Sequence, residues 1–257
     1  MTKKCYMCDR ESTSKEHVPP KCLFPEMKDV GKDLRKSLIT VPSCDLHNSS
    51  KSADDEFFLT SIGGVVGCNT TGLIHKFTKV NRSIHNSSFK IFEKAFKDQK
   101  IDLIKSEDGK YIDVVWGKPD MDRLASCFDH ISRGLYYYEN SERFKGEIRV
   151  VIGFMHNAGQ NYDSFIGVAR EKLKRELCDD SWKGANPEVF TYQFTKPDSH
   201  GLFLVAMKFY GNLDVYASFL PSGFKPPEDL LSVLLDNGVP VTVKEGGKLF
   251  RFNEPSD

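Results

Sequence analysis

Two pairs of metal-binding residues lie near the start of the chain. Cys5 and Cys8 are separated by two residues, and Cys44 and His47 repeat that spacing farther along. A tetrahedral Zn2+ site needs four such ligands, and a two-residue gap lets each pair bind the ion from one tight turn. The segment between the pairs has few long apolar runs, so it would depend on a metal for order. We therefore predict a structural zinc site formed by these four residues.

The alternative is that the cysteines are ordinary thiols near a terminus. A free cysteine usually lies among apolar side chains. Cys5 and Cys8 instead have Lys3, Lys4 and Arg10 as close neighbours in the sequence. This local composition favours metal binding over burial in a core.

Three motifs of this region resemble those of the HNH endonucleases, the ββα-metal nucleases, in their zinc-ribbon branch. They are Cys5-Tyr-Met-Cys8, Glu16-His17-Val-Pro-Pro20 and Val41-Pro-Ser-Cys44-Asp-Leu-His47-Asn48-Ser-Ser-Lys51, within about the first sixty residues. The resemblance implies that the Glu16-His17 pair ends the first strand of a hairpin and that the Asn48-x-x-Lys51 run opens the following helix. It also implies that His17 is the general base that activates water, and that Glu16 and Asn48 are ligands of a catalytic metal.

The chain departs from the family pattern in two places. Many family members have Cys where this chain has His47. Many also have an Asn or His ahead of the second zinc pair, where this chain has Thr40 and Val41. That residue generally steadies the base, so we expect a backbone carbonyl from residues 38–43 to orient His17 instead.

The chemistry of these side chains agrees with the resemblance. Phosphodiester hydrolysis needs a base that titrates near neutral pH, as His does. The oxygens of Glu16 and Asn48 are hard donors that suit Mg2+ or Mn2+. Lys51, one helical turn beyond Asn48, can offer a positive charge to a phosphate. Alone, Glu16-His17 would also fit a surface pair before a Pro-Pro turn, but the zinc context favours catalysis.

A basic stretch follows the zinc region. Residues 70–100 contain seven basic and two acidic side chains. The predicted nucleic-acid contacts are Lys76, Lys79, Arg82 and Lys90, because a local cationic surface supplies phosphate contacts. The alternative is a solvated helix face, since Phe89, Phe92 and Phe96 recur at helical spacing and would pack inward. His75 and His85 have no acidic neighbour at ligand spacing, so we expect them to face solvent or a bound partner.

Hydrophobic periodicity predicts helices and strands in alternation along the chain. A helix is expected from Ser52, a mostly helical stretch over 73–97, a core helix over 121–138, and further helices over 165–177 and 226–235. Strands are expected over 101–104, 111–116, 148–155, 189–194, 202–210, 213–219, 239–243 and 248–252. This order is typical of an α+β protein with a largely antiparallel sheet.

Composition sets the class of protein. The chain has 257 residues, 39% of them hydrophobic, with 36 basic and 36 acidic side chains. No apolar run approaches the length of about eighteen residues that spans a bilayer, and the start lacks the apolar segment of a secretory signal. Seven cysteines, an odd number, fit a reducing compartment better than a disulfide scaffold. We therefore expect a folded cytoplasmic protein without a membrane partner.

The combined hypothesis is an α+β protein with three parts: a zinc-stapled HNH nuclease domain over 1–62, a mostly helical basic segment over 63–100, and an accessory α+β domain over 101–257. The resemblance implies DNA as substrate, leaves RNA open, and suggests a setting in defence against foreign DNA. The accessory domain is expected to position substrate, a protein partner or a second subunit. The alternative function is a zinc ribbon that binds nucleic acid or protein without catalysis.

Overall fold

The chain was analysed as a computed structural model, which describes residues 3–49, 52–63, 65, 67–86, 90–105, 109, 111–155, 170, 173, 176–177, 181–224, 234–235, 240–245 and 248–253. Two compact units divide the chain. The first comprises residues 1–144, 184–191 and 208–213, and the second comprises 145–183, 192–207 and 214–257. The predicted domain boundaries at residues 62 and 100 stay predictions.

The first unit begins with a two-stranded antiparallel hairpin. Strand β1 spans Ser14–His17 and strand β2 spans Thr40–Ser43, with Glu16 opposite Val41 and His17 opposite Thr40. A 3-10 helix, Lys21–Leu23, and helix α1, Met27–Val30, lie between the two strands in the sequence. Helix α2, Asp45–Ser49, follows β2 directly. Two antiparallel strands and a helix thus succeed one another around the predicted site residues.

Helices make up most of the remaining first unit. They are α3, Ser52–Ile62; α4, Thr70–His75; a π-helix, Lys76–Val80; α5, Asn81–Asn86; α6, Lys90–Ala95; and α7, Met121–Asn140. The predicted helix start at Ser52 and the predicted core helix are confirmed. Side-chain caps explain two of the starts: Asn69 accepts a hydrogen bond from the backbone N–H of Gly72, and Asp120 accepts one from that of Arg123.

An aromatic cluster forms the centre of this unit. Phe58 of α3 and Phe128 of α7 are both buried and meet edge to face, with ring centroids 5.0 Å apart. Phe209 lies 5.6 Å from Phe128 by the same measure. Such pairs stabilise a core beyond the area that they bury. The pair of Phe58 and Phe128 holds α7 against α3.

Antiparallel strands account for the predicted sheets. Strands β3, Phe96–Lys105, and β4, Tyr111–Pro119, form a hairpin. Strand β3 begins five residues earlier than predicted, because its pairing with β4 continues past a register shift between Lys97 and Lys100. A four-stranded sheet has the order β5-β8-β7-β6, and a separate hairpin pairs β9 with β10. The bounds are β5, Glu147–Ile152; β6, Phe190–Phe194; β7, Phe203–Phe209; β8, Leu213–Leu220; β9, Val241–Glu245; and β10, Lys248–Phe252.

The chain is therefore a mixture of helices and antiparallel sheets, as the predicted α+β class requires. The helices predicted over 165–177 and 226–235 fall mostly outside the described residues. None of the helices in the described part combines the length and apolar character that a membrane crossing requires.

Candidate metal centre and adjoining cavity

The four predicted zinc ligands come from two backbone turns. Cys5 and Cys8 lie on a turn closed by a hydrogen bond from the Cys5 N–H to the carbonyl of Arg10. Cys44 precedes α2 and His47 lies within it, where the His47 N–H bonds to the carbonyl of Cys44. The ligand atoms of all four residues lie within 4.8 Å of one another.

The distances inside this cluster match a tetrahedral metal site. With Zn–S near 2.3 Å and Zn–N near 2.0 Å, a tetrahedron has S···S edges of about 3.8 Å and S···N edges of about 3.5 Å. The Sγ atoms of Cys8 and Cys44 are 3.7 Å apart, and Nδ1 of His47 lies 3.6 Å from Sγ of Cys5 and 3.2 Å from Sγ of Cys44. The Cys3His cluster can therefore hold a metal such as zinc.

The electrostatics of the cluster also suit a cation. Burial raises the pKa of the Cys44 thiol, but hydrogen bonds from His47, Cys8 and Cys5 outweigh it and bring that pKa down to about 6. The pKa of Cys8 is raised, first by burial. A metal ion requires thiolates. The lowered pKa of Cys44 therefore favours the thiolate form that a metal would bind.

A cavity of about 260 Å³ is lined by three of the predicted catalytic residues, Glu16, His17 and Asn48. Glu16 and His17 reach it from the end of β1 and Asn48 reaches it from α2. Its remaining lining residues are Lys15, Pro20, Lys21, Cys22 and Asp55. The fold thus brings Glu16, His17 and Asn48 together, whereas Lys51 lies outside the described residues. Carboxylate and amide oxygens are hard donors, so Glu16, Asn48 and Asp55 are the residues here that suit Mg2+ or Mn2+.

Both predicted ligands of the catalytic metal are held by neighbouring side chains. The hydroxyl of Tyr6 donates a 3.0 Å hydrogen bond to Oε1 of Glu16, which is 7% exposed. Burial, followed by the charge of Glu16, raises the pKa of Tyr6 well above its ordinary value, so the phenol stays protonated as a donor. The amide of Asn48 donates to Oγ of Ser14 at 2.9 Å.

The surroundings of His17 favour the neutral form of its imidazole. Burial lowers its pKa, the charge of Lys21 lowers it further, and Glu16 offsets part of this effect. A neutral imidazole is the form that can accept a proton. The expected carbonyl from residues 38–43 does not orient it through Nδ1, because that nitrogen is buried and no described residue forms a hydrogen bond with it.

Some basic side chains of the stretch over residues 70–100 form hydrogen bonds with other groups of the same chain. Arg82 forms two 3.0 Å hydrogen bonds with the carboxylate of Asp29, and Nζ of Lys79 donates to the carbonyl of Cys22 at 3.3 Å. Burial lowers the pKa of Lys76, while Lys90 is exposed. The role of these four residues in nucleic-acid binding stays a prediction.

The expected exposure of His75 is wrong. Its side chain is fully buried, and Nε2 lies 3.1 Å from the carbonyl of Cys22. The ring packs in the first unit, 6.3 Å from that of Tyr210. The side chain of His85 is outside the described part of the chain.

Four residues at the site were not predicted from the sequence as site residues. Lys15 and Lys21 flank the Glu16-His17 pair, and this proximity was an available signal. Asp55 lines the cavity from α3. It follows Asn48 by seven residues, but the two residues lie in different helices, so helical spacing does not predict that they meet. The contact of Tyr6 with Glu16 had no local signal.

Comparisons of the chain with protein-family models, with curated proteins and with solved structures give no match.

Proposed function

We propose that the protein is a metal-dependent HNH endonuclease that hydrolyses phosphodiester bonds of DNA. The observation that carries this proposal is one cavity lined by Glu16, His17 and Asn48. Beside it in the sequence lie the ligands of a Cys3His cluster. We interpret β1, β2 and α2 as the ββα-metal fold, with zinc as the structural ion.

His17 is the proposed general base. Its imidazole takes a proton from water as the water oxygen attacks the phosphorus and the bond to the leaving oxygen breaks. A Mg2+ or Mn2+ ion held by Glu16 and Asn48 would supply positive charge at the phosphate oxygens. Glu16 and Asn48 are suited to this role by their hard oxygen donors and because both line the cavity that His17 lines.

Two lysines of the cavity can contact an anionic substrate. Lys15 and Lys21 line it beside the acidic Glu16 and Asp55, whose charge a bound cation would offset, and Lys51 is proposed to reach the phosphate as well. Lysine binds phosphate as a mobile point charge. Residues 101–257 are proposed to position the DNA, a protein partner or a second subunit, and the motif resemblance suggests defence against foreign DNA as the setting.

A nicking assay with plasmid DNA and either Mg2+ or Mn2+ tests this function. His17→Ala should lower the cleavage rate by roughly 100-fold or more, the scale of a lost general base, while the zinc content stays unchanged. His200→Ala is the matched control, because His200 is exposed and belongs to the second unit. Cleavage by His17→Ala at the wild-type rate would contradict the proposal.

A second candidate is a zinc ribbon that binds nucleic acid or protein without catalysis. The observation that favours it is the buried Nδ1 of His17, since a general base is usually oriented by a hydrogen bond at its second nitrogen. This candidate predicts zinc-dependent binding of DNA or protein and no metal-dependent cleavage in the same assay.

A further inference from the structure

We propose that Tyr6 is a positioning residue, which fixes the carboxylate of Glu16 for the second metal and thereby links the affinity of that metal to the zinc centre. This inference rests on the proposed function, because it assigns Glu16 to a catalytic Mg2+ or Mn2+. The hydroxyl of Tyr6 lies 3.0 Å from Oε1 of Glu16.

The burial of Tyr6 shows that its hydroxyl has a specific partner. Tyr6 is 0% exposed and is among the largest fully buried side chains. A buried hydroxyl destabilises the protein unless it forms a hydrogen bond, so a phenylalanine would fill a purely apolar position better. This hydroxyl donates to the carboxylate of Glu16, which lines the cavity.

The backbone of Tyr6 belongs to the zinc-binding turn. Tyr6 lies between Cys5 and Cys8, and its N–H donates a 2.9 Å hydrogen bond to the carbonyl of Pro42 in β2. Val41, the preceding residue of β2, pairs with Glu16 across the hairpin. A metal held by Cys5 and Cys8 therefore fixes the main chain on both sides of Tyr6, and β2 aligns that turn with Glu16.

Hydrogen bonds of this kind decide how a carboxylate binds a metal. A donor to one carboxylate oxygen sets the rotation of the group and leaves the other oxygen for the cation. Loss of such a partner typically lowers metal affinity by 10- to 100-fold. Because the coupling of two binding events is reciprocal, the second metal should also strengthen zinc binding.

Titration with Mn2+ tests the proposal, with free Mn2+ measured by electron paramagnetic resonance on protein loaded with one equivalent of zinc. Tyr6→Phe should weaken Mn2+ binding by roughly 10-fold or more at unchanged zinc content. In a Glu16→Ala background the same change should have no further effect, as a double-mutant cycle requires for a pair that acts together. Tyr136→Phe is the matched control, since its hydroxyl donates to Glu142 at 2.7 Å.

Each outcome of this titration is decisive. Wild-type Mn2+ affinity in Tyr6→Phe overturns the proposal, and so does loss of zinc from that variant, because the hydroxyl would then support the fold rather than Glu16. If wild type binds Mn2+ through Glu16 and Tyr6 but does not cut DNA, the proposed function fails and the positioning role stands. If wild type cuts DNA and Tyr6→Phe binds Mn2+ normally, only the positioning role fails.

Discussion

Asn48 donates a hydrogen bond from its side-chain amide to Oγ of Ser14 at 2.9 Å. The same hydroxyl lies 3.2 Å from the carbonyl of Ser43, so α2, β1 and β2 meet at this point. The bond occupies the nitrogen of the amide. Oδ1 of Asn48 is consequently the atom suited to a cation, and β1 fixes its direction.

Replacement of Asn48 should therefore produce a defect that depends on metal concentration. Asn48→Ala removes a ligand, so high Mg2+ or Mn2+ should restore part of its cleavage rate. His17→Ala removes the base and should show no such recovery. The measurement is the nicking rate of each variant over a range of metal concentrations. Equal recovery of the two variants would contradict the separate roles.

Zinc content provides a test of the Cys3His cluster. We expect about one Zn2+ per chain by elemental analysis, and Cys44→Ser should lower both that content and the amide-exchange protection of residues 3–49. Cys127→Ser is the control, because Cys127 lies in α7 outside the cluster. Metal-free protein with an ordered N-terminal region would rule out the structural role.

Features with local causes were predictable from the sequence. The spacing of Cys5 and Cys8, repeated by Cys44 and His47, indicated a cluster that the fold does bring together. The apolar periodicity of residues 121–138 predicted α7 because one helix face is enough to reveal it.

Features that depend on distant partners were not predictable. His75 is buried because it reaches the carbonyl of Cys22, 53 residues away in the sequence. Arg82 pairs with Asp29 across the same separation. Tyr6 gave no sign of its bond to Glu16, because an aromatic residue beside a cysteine is equally compatible with a purely apolar contact. Pair spacing and periodicity record only what is near in the chain.

The position of phosphate binding can be tested by charge reversal. Lys21→Glu should weaken DNA binding and reduce the slope of log affinity against log salt concentration by about 1, since fewer counterions are released. Lys90→Glu tests the basic stretch in the same way, and exposed Lys248 of β10 provides the control. If Lys90→Glu weakens DNA binding and Lys21→Glu does not, the phosphate contacts lie in the basic stretch and not in the cavity.

Gly134 should be required for the contact of α7 with the segment after β1. A Cβ atom at residue 134 would lie 2.6 Å from Cγ2 of Val18. Helix propensity alone predicts that Gly134→Ala stabilises the protein by about 1 kcal/mol. The steric overlap predicts the opposite, a loss of about 1–3 kcal/mol in the free energy of unfolding.

Urea unfolding shows whether Gly134→Ala raises or lowers the free energy of unfolding. Val18→Ala removes the overlapping methyl groups, so adding it to Gly134→Ala should cost less than Val18→Ala costs alone. A more stable Gly134→Ala protein would show that α7 can move away from Val18 without loss.

His75 should make stability depend on pH. Its pKa is lowered from 6.5 to about 4, mainly by burial and further by the charges of Lys79 and Arg35. The hydrogen bond to the carbonyl of Cys22 raises the pKa and offsets part of this shift. As the pH falls through 6.5, the unfolded chain binds a proton at His75 before the folded chain does. The contribution of His75 is therefore complete above pH 6.5 and is lost as the pH falls to about 4.

The loss over this range amounts to about 3 kcal/mol, from 1.36 kcal/mol per unit of pKa. His75→Gln keeps an amide that can donate to the carbonyl of Cys22 but does not titrate. Its free energy of unfolding should be lower than that of the wild type above pH 6.5 and should fall less steeply towards pH 4. Urea unfolding at several pH values in this interval measures both slopes. Parallel pH profiles for the two proteins would show that His75 is protonated as readily in the folded chain as in the unfolded one.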